Sequence, residues 1–315
     1  MLGSPLDHVK WFTDPAAYPT RYDLLLTLPV LAALALAAVA VAVAYAWERR
    51  FPEPRVVKAL ERWAEYAPTA LGIHVGVALV VASLLGYLFV PSTALHMESD
   101  NAFGFMLLTL EALCGGMLVA GLAARAAAAI LALLGVVAMI PFTIEAILEQ
   151  VHFLGIALFV FLVGRGPFSF DRMRHAAPPV RSGAIPWIAL GIARVAMGFG
   201  IFYNALTEKL LNPALAATIL EERPFLNVFR AAGVSDGQFV WLAGTVELMV
   251  GAVILSPWVT RPVMVVGAAL FSVSLLLFGW RELLGHLPFY GLFLLLLLAP
   301  KADSPRVRRA MKPAA

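Results

Sequence analysis

The stretch LLLTLPVLAALALAAVAVAVAYAW, Leu24 to Trp47, carries no charge from end to end. An α-helix rises about 1.5 Å per residue, so this run is long enough to cross the roughly 30 Å hydrocarbon core of a bilayer. Acidic residues precede it, and its apolar core exceeds that of a cleaved leader, so it is expected to remain as a membrane helix. The same reading extends outward along the chain. Ala70–Leu95 has His74 as its one ionisable group, Ala102–Ala124 has Glu111, Ser182–Leu206 has Arg194 and Gly237–Thr260 has Glu247. Two stretches, Ala126–Gly164 and Pro262–Pro300, are each long enough to cross twice. The first is polar only around Glu145, Glu149, Gln150 and His152, the second around Arg281, Glu282 and His286, so each reads as a hairpin of two spans. The expected fold is all-α and integral to the membrane, with about nine transmembrane helices.

Composition agrees with this reading. Of the 315 residues, 61% are hydrophobic and only 14% are Asp, Glu, Lys or Arg, and the mean hydropathy is +0.86. Soluble domains carry about 25% charged residues, and disordered chains combine low hydrophobicity with high net charge, so both classes are excluded. The single cysteine rules out an internal disulfide and a cysteine-rich metal cluster. The net charge of +3 is explained by topology rather than by nucleic acid, for which there is no basic face or binding motif. With the N-terminus outside, the inner segments 48–69, 165–184 and 301–315 and the turns at Arg125 and Arg261 hold 16 of the 23 basic residues. This bias predicts an external N-terminus and a cytoplasmic tail. The Ala-rich, Cys-poor composition suits a prokaryotic inner (cytoplasmic) membrane.

The chain repeats itself. At one constant offset, Glu111, Gly115, Arg125, Leu134, Val137, Leu148, Phe153 and Gly155 recur as Glu247, Gly251, Arg261, Leu270, Val273, Leu284, Phe289 and Gly291. The preceding helix matches at a shorter offset, Ala70-Leu71-Gly72-Ile73 against Ala189-Leu190-Gly191-Ile192. The difference is a longer outer loop in the second copy, 208–236 against 91–102. The leucines and valines would match by chance; a Glu and an Arg at the same separation in both copies would not. Four helices per copy make the copies parallel rather than inverted. The expected organisation is a segment 1–69 with the leading helix and an inner linker, a four-helix repeat 70–164, a basic linker 165–184, a second four-helix repeat 185–300 and a basic tail 301–315.

The second copy carries Ala193-Arg194-Val195-Ala196-Met197-Gly198, then Glu208-Lys209-Leu210-Leu211-Asn212-Pro213, Glu247 with Gly251, Arg261, and Gly285-His286-Leu287-Pro288. As a set these resemble the DoxX family of small four-helix membrane proteins over nearly all of 185–300. The first copy keeps Glu111, Gly115 and Arg125 but has Val75 where the second has Arg194, and it lacks the Lys-Leu-Leu-Asn-Pro segment, so it resembles a diverged unit. The resemblance implies a membrane subunit of a redox system, quinone- or thiol-linked, with a soluble redox partner protein. A solute or lipid transporter and a non-catalytic scaffold are the alternatives.

An ionisable group in the membrane costs roughly 2.5–3.5 kcal/mol on insertion scales and needs a reason. Glu247 lies about 21 Å and Arg194 about 13 Å above the inner turn, by helical rise. The expectation is a Glu247–Arg194 pair, with His286 at the outer hairpin and a parallel Glu111–His74 contact in the first copy. Such a pair could fix helix register, or the carboxylates and His could handle protons while Arg holds a quinone oxygen. His152 and His286, near hairpin apices, read as facing water or headgroups, as do Glu145 and Glu149. Haem would need two facing histidines at similar depth, and only His74 reads as deep. His8, His96 and His175 show no metal-ligand spacing. Cys114 reads as a small core residue, and Gly115-Gly116 and Gly198-x-Gly200 as sites of close helix packing. In the outer loop, Leu211, Leu215 and Ile219 recur at helical spacing and predict an amphipathic segment at the outer surface, a lid or a simple packing element. Arg55–Glu65 reads as an inner surface helix serving as a connector.

Overall fold

The computed structural model describes residues 18–90, 102–137, 142–175 and 185–300. His8, His96 and the tail 301–315 lie outside them, as does the second half of the basic linker. Regular structure among the described residues is helical, without a strand. Five helices are long and apolar enough to cross a membrane: Leu28–Arg50, Arg55–Leu84, Ala102–Ala120, Trp187–Leu210 and Asp236–Leu255. Shorter apolar helices at Ala124–Val137, Val151–Val163, Thr260–Leu276 and Glu282–Leu298 account for the two long stretches expected to cross twice.

We number the helices α1 (Leu28–Arg50), α2 (Arg55–Ala59), α3 (Ala67–Leu84), α4 (Ala102–Ala120), α5 (Ala124–Val137), α6 (Ile144–Glu149), α7 (Val151–Val163), α8 (Phe170–His175), α9 (Trp187–Ala205), α10 (Pro213–Glu222), α11 (Asp236–Leu255), α12 (Thr260–Phe278) and α13 (Trp280–Leu298). In α1, nine alanines and four leucines favour the helix over its four valines, Pro29 sits in the first turn where no N–H is missed, and Arg49 and Arg50 in the last turn suit the negative helix end. Its small buried face, Val30, Ala33 and Ala37, lies against Ala205 and Leu248, which seats it on α11.

The two repeated stretches are interleaved. Within each, the first helix packs tightly on the second (α3 on α4, α9 on α11) and the third on the fourth (α5 on α7, α12 on α13). The first and fourth helices of one stretch, however, touch each other little. Instead α3 packs on α13 and α9 on α7. The expectation of two self-contained bundles gives way to cross-packing, and equivalent glycines permit it. A Cβ on Gly155 of α7 would overlap the Cβ of Ala196 in α9, and one on Gly291 of α13 would come within 3.0 Å of Leu71 and 3.2 Å of His74 in α3. Close approach also joins α3 to α4, where a Cβ on Gly76 would meet the Gly115 carbonyl at 2.6 Å.

The opposite rim, with Glu53, Arg125 and Arg261, repeats this logic in its turns. Ala123 and Val259, at equivalent positions of the two copies, lead into α5 and α12 with positive φ of 47° and 43°. Each has its backbone N–H bonded to a carboxylate: Ala123 to Asp171 at 2.6 Å, Val259 to Glu48 at 2.7 Å. Each carboxylate comes from the segment that precedes the other stretch. Arg261 is 1% exposed and bonds Glu53 at 2.8 Å, Glu61 at 3.0 Å and the Ala299 carbonyl at 2.6 Å. The Arg55–Glu65 segment is therefore bolted to the base of α12 and α13, more than a connector.

Candidate functional site

A cavity of about 440 Å³ lies within the second stretch. Its walls are apolar, with Ile201 of α9, Phe239 and Val250 of α11, Phe271 of α12 and Phe289 of α13 among them. The 208–236 loop forms its roof. Asn212 caps α10, its side chain accepting from the Leu215 N–H, and the apolar face of α10 (Leu215, Ala216, Ile219, Leu220) packs with Leu226 on Val240 of α11. Ala216, Ile219, Leu220 and Leu226 all line the cavity. The amphipathic segment read from the sequence is thus a lid. The segment before α1 holds it down: Arg21 donates its backbone N–H to the Leu211 carbonyl at 2.9 Å, and Asn212 Nδ2 donates to the Tyr18 carbonyl at 2.6 Å.

Two polar pairs face the cavity. The end of α9 widens into a π-turn, Leu206–Leu210, closed by the Leu211 N–H to the Leu206 carbonyl at 2.8 Å. This turn carries Lys209 against α11, where Gly244 leaves room: a Cβ there would lie 2.9 Å from Lys209 Cβ. Lys209 Nζ donates to Glu247 Oε2 at 2.6 Å, with the two side chains 16% and 38% exposed. On α13, Glu282 and His286 are one turn apart, and His286 Nε2 sits 2.8 Å from Glu282 Oε2 with both buried. Asn204 also lines the cavity, and its buried Oδ1 has no protein hydrogen-bond partner. π-turns inside helices are frequent at functional sites because they re-aim a side chain.

The expected Glu247–Arg194 pair does not form. Arg194 Nη1 donates to the carbonyls of Ile254, at 3.0 Å, and Leu255. These belong to the last turn of α11, whose carbonyls lack intrahelical partners and would be costly to leave bare in an apolar setting. The arginine reaches toward the helix end, not up toward the carboxylate. The first stretch solves the same problem from elsewhere in the chain. Leu118 and Val119, the first-copy equivalents of Ile254 and Leu255, have their carbonyls bonded by Arg165, Nε to Leu118 at 3.1 Å and Nη2 to Val119. Val75 therefore replaces Arg194 in the alignment without loss of the cap.

The Glu111–His74 contact is also not made. His74 Nδ1 donates to the Ala70 carbonyl at 2.7 Å, beside the Gly291 seam. Glu111 is fully buried and its Oε1 accepts the Phe89 N–H at 2.8 Å. The predicted span to Leu95 ends early: α3 stops at Leu84, and positive φ at Gly86 and Phe89 turns the chain inward. Leu88, Phe89 and Val90 are buried there at 0%, 1% and 3% exposure, and the Phe89 ring packs on Phe153. The two stretches thus present their shared glutamate differently. In the first, Leu85, Val90, Ala146 and Gln150 stand where Asn204, Lys209, Glu282 and His286 stand in the second.

His286 and His152 are 4% and 2% exposed, so neither faces water. His152 stacks between Phe153 and Phe289, centroids 4.5 and 4.4 Å away. Glu149 is buried as well, and Glu145 accepts hydrogen bonds from Thr20 at 2.7 Å and Tyr22 at 3.0 Å. Hydropathy marks hairpin apices as polar interruptions, whereas here the N-terminal segment engages Glu145 and the other three side chains are packed inside. Of the expected site residues, Glu247 and His286 come together at the cavity, while Arg194, Glu111 and His74 lie elsewhere. Lys209, Glu282 and Asn204 were missed. The signal for Glu282 was its spacing of one helical turn from His286. No sequence signal announces the π-turn that delivers Lys209. Among the described residues no cluster of three or more His, Cys, Asp or Glu has a metal-binding arrangement. Compared with protein-family models, curated proteins and solved structures, the chain finds no match.

Proposed function

We propose that this chain is a membrane subunit of a quinone-linked oxidoreductase system, and that the lidded cavity receives the quinone headgroup. The observation that carries the reading is the combination, in one apolar cavity of about 440 Å³, of a Lys209–Glu247 pair with a buried Glu282–His286 pair. Small-molecule sites are mostly apolar clefts of roughly 300–1,000 Å³ with a few convergent polar groups. Phe239, Phe271 and Phe289 offer flat surfaces to a ring. The residues fit such a guest. Lys209 Nζ is a hydrogen-bond donor for one carbonyl oxygen, and His286, its Nε2 held by Glu282, is one for the other through Nδ1 when the ring carries both protons. Asn204 Oδ1, buried and without a protein partner, is an acceptor for a hydroxyl. A bound quinone supplies two-electron chemistry coupled to two protons. The chain's part is to orient the ring, keep water out under the lid, and hold a proton at His286 Nδ1 while Glu282 accepts from Nε2. The electrons come from a soluble redox partner protein.

In this reading the four shorter apolar helices cross the membrane with the five longer ones, giving nine spans with the N-terminus outside. The leading helix is followed by two DoxX-like repeats, the second of which keeps the site. The test is saturable binding of ubiquinone and menaquinone analogues to purified protein, by calorimetry. Wild type should bind at least one of them, and Lys209→Met and Glu282→Gln should each weaken binding about tenfold, the worth of one hydrogen bond to a charged group. Absence of saturable binding, together with unchanged quinone-linked oxidation in membranes lacking the protein, sinks the proposal.

A further inference from the structure

The cavity has a mouth, and its position identifies the phase that feeds it. Helices α11 and α12 are consecutive, yet they touch each other little, because α11 packs on α9 and α1 while α12 packs on α13. The corresponding helices of the first stretch, α4 and α5, lie closer together. The cavity reaches the seam between α11 and α12. Leu242 and Val246 on α11 and Leu270 and Val273 on α12 all line it, and they are 40%, 45%, 38% and 52% exposed. A side chain that lines a cavity and is also exposed stands at an opening. These four are apolar and sit mid-helix on two apolar helices, so the opening faces hydrocarbon rather than water. On the lid side, Ala216, Ile219, Leu220 and Leu226 line the same cavity and are buried, and Phe229, 51% exposed, is the one apolar lid residue lining it that reaches the surface, against four at the seam.

We infer that the seam between α11 and α12 is a lateral portal for a lipid-phase molecule with a polar head and one apolar tail, the head lodging at Lys209 and His286 and the tail lying out between Val246 and Val273. This rests on the reading that the cavity holds such a molecule. Glu247 adjoins Val246 in sequence and pairs with Lys209 beside the mouth, while Glu282 and His286 line the cavity as buried residues. A head carried in from the bilayer meets these groups without leaving the apolar phase, and the tail stays in lipid. No lid motion is required.

Two probes test it in nanodiscs: a quinone with a long alkyl tail and the same quinone without one. Val246→Trp and Val273→Trp fill the mouth at exposed positions. Each should weaken the tailed probe about tenfold, equivalent to ~1.4 kcal/mol, and leave the tailless probe within about twofold. Leu113→Trp, at a 58% exposed position on α4, should change neither. In the wild-type protein, a photoreactive group on the tail should label Leu242, Val246, Leu270 or Val273. If the tailed probe binds both mouth variants as it binds wild type, or if the label falls on the lid at Leu220 or Leu226, the portal is wrong while the cavity reading survives. If wild type binds neither probe, the cavity reading itself fails and the portal falls with it.

Discussion

Arg194 and Glu247 show how far a charged residue in an apolar run can be interpreted. Each stands out because its insertion is costly, and the sequence identified both as needing partners. The partners themselves follow from which orphan group lies nearest once the helices are packed. For Arg194 these are the carbonyls of Ile254 and Leu255; for Glu247 it is Lys209. Arg194→Leu should therefore destabilise the protein by about 1–3 kcal/mol, the cost of stranding a buried acceptor, and leave quinone affinity of the remaining folded protein unchanged. Thermal unfolding in detergent, paired with a binding isotherm, separates the two effects, and Arg165→Leu should behave alike at the other cap. Glu247→Gln should do the reverse. Its side chain is 38% exposed, so the fold is expected to persist while ligand affinity falls about tenfold with the loss of the charge that positions Lys209. A melting temperature that drops as far as that of the Arg194 variant would contradict this assignment.

At the scale of helices, hydropathy located every apolar segment that the structure describes, because a helix in lipid satisfies its backbone internally and so leaves a local record. The repeat was legible for a similar reason, since Glu111 with Arg125 and Glu247 with Arg261 keep a spacing set by one helix and one turn. Pairing of helices left no such record. That α7 packs on α9 and α13 on α3 depends on Gly155 and Gly291, which in an alignment are merely two more matched glycines. Gly155→Leu should force α7 from α9, at a cost on the order of 1–3 kcal/mol for overpacking. Adding Ala196→Gly, which removes the methyl in the way, should recover part of the loss. A double-mutant cycle on thermal stability that shows simple additivity would argue against the seam.

For the molecule as a whole, orientation rests on the basic residues, with 16 of 23 on one side of the predicted topology. It is open to a direct check, because Cys114 is buried and silent to labelling. Single cysteines at the exposed positions Thr143 and Gln238 should react with an impermeant maleimide on intact cells. Those at Lys58 and Met173 should react only after permeabilisation. Labelling of all four from one side would overturn the nine-span topology. The tie between Arg261 and the linker carboxylates Glu53 and Glu61 acts at this scale too, since it fastens the chain before the first repeat to the base of the second.

Composition and one-dimensional pattern were enough to place this protein in a membrane, to locate its apolar helices and to expose its repeat, because each of those properties is satisfied within a single helix or a fixed spacing. Which charges meet and which residues line the cavity depend on helix rotation, on a π-turn at Leu206–Leu210 and on left-handed turns at Gly86 and Phe89. Those are contacts between distant segments, chosen by the need to satisfy buried polar groups and to pack small residues. They arise only when all the helices are assembled.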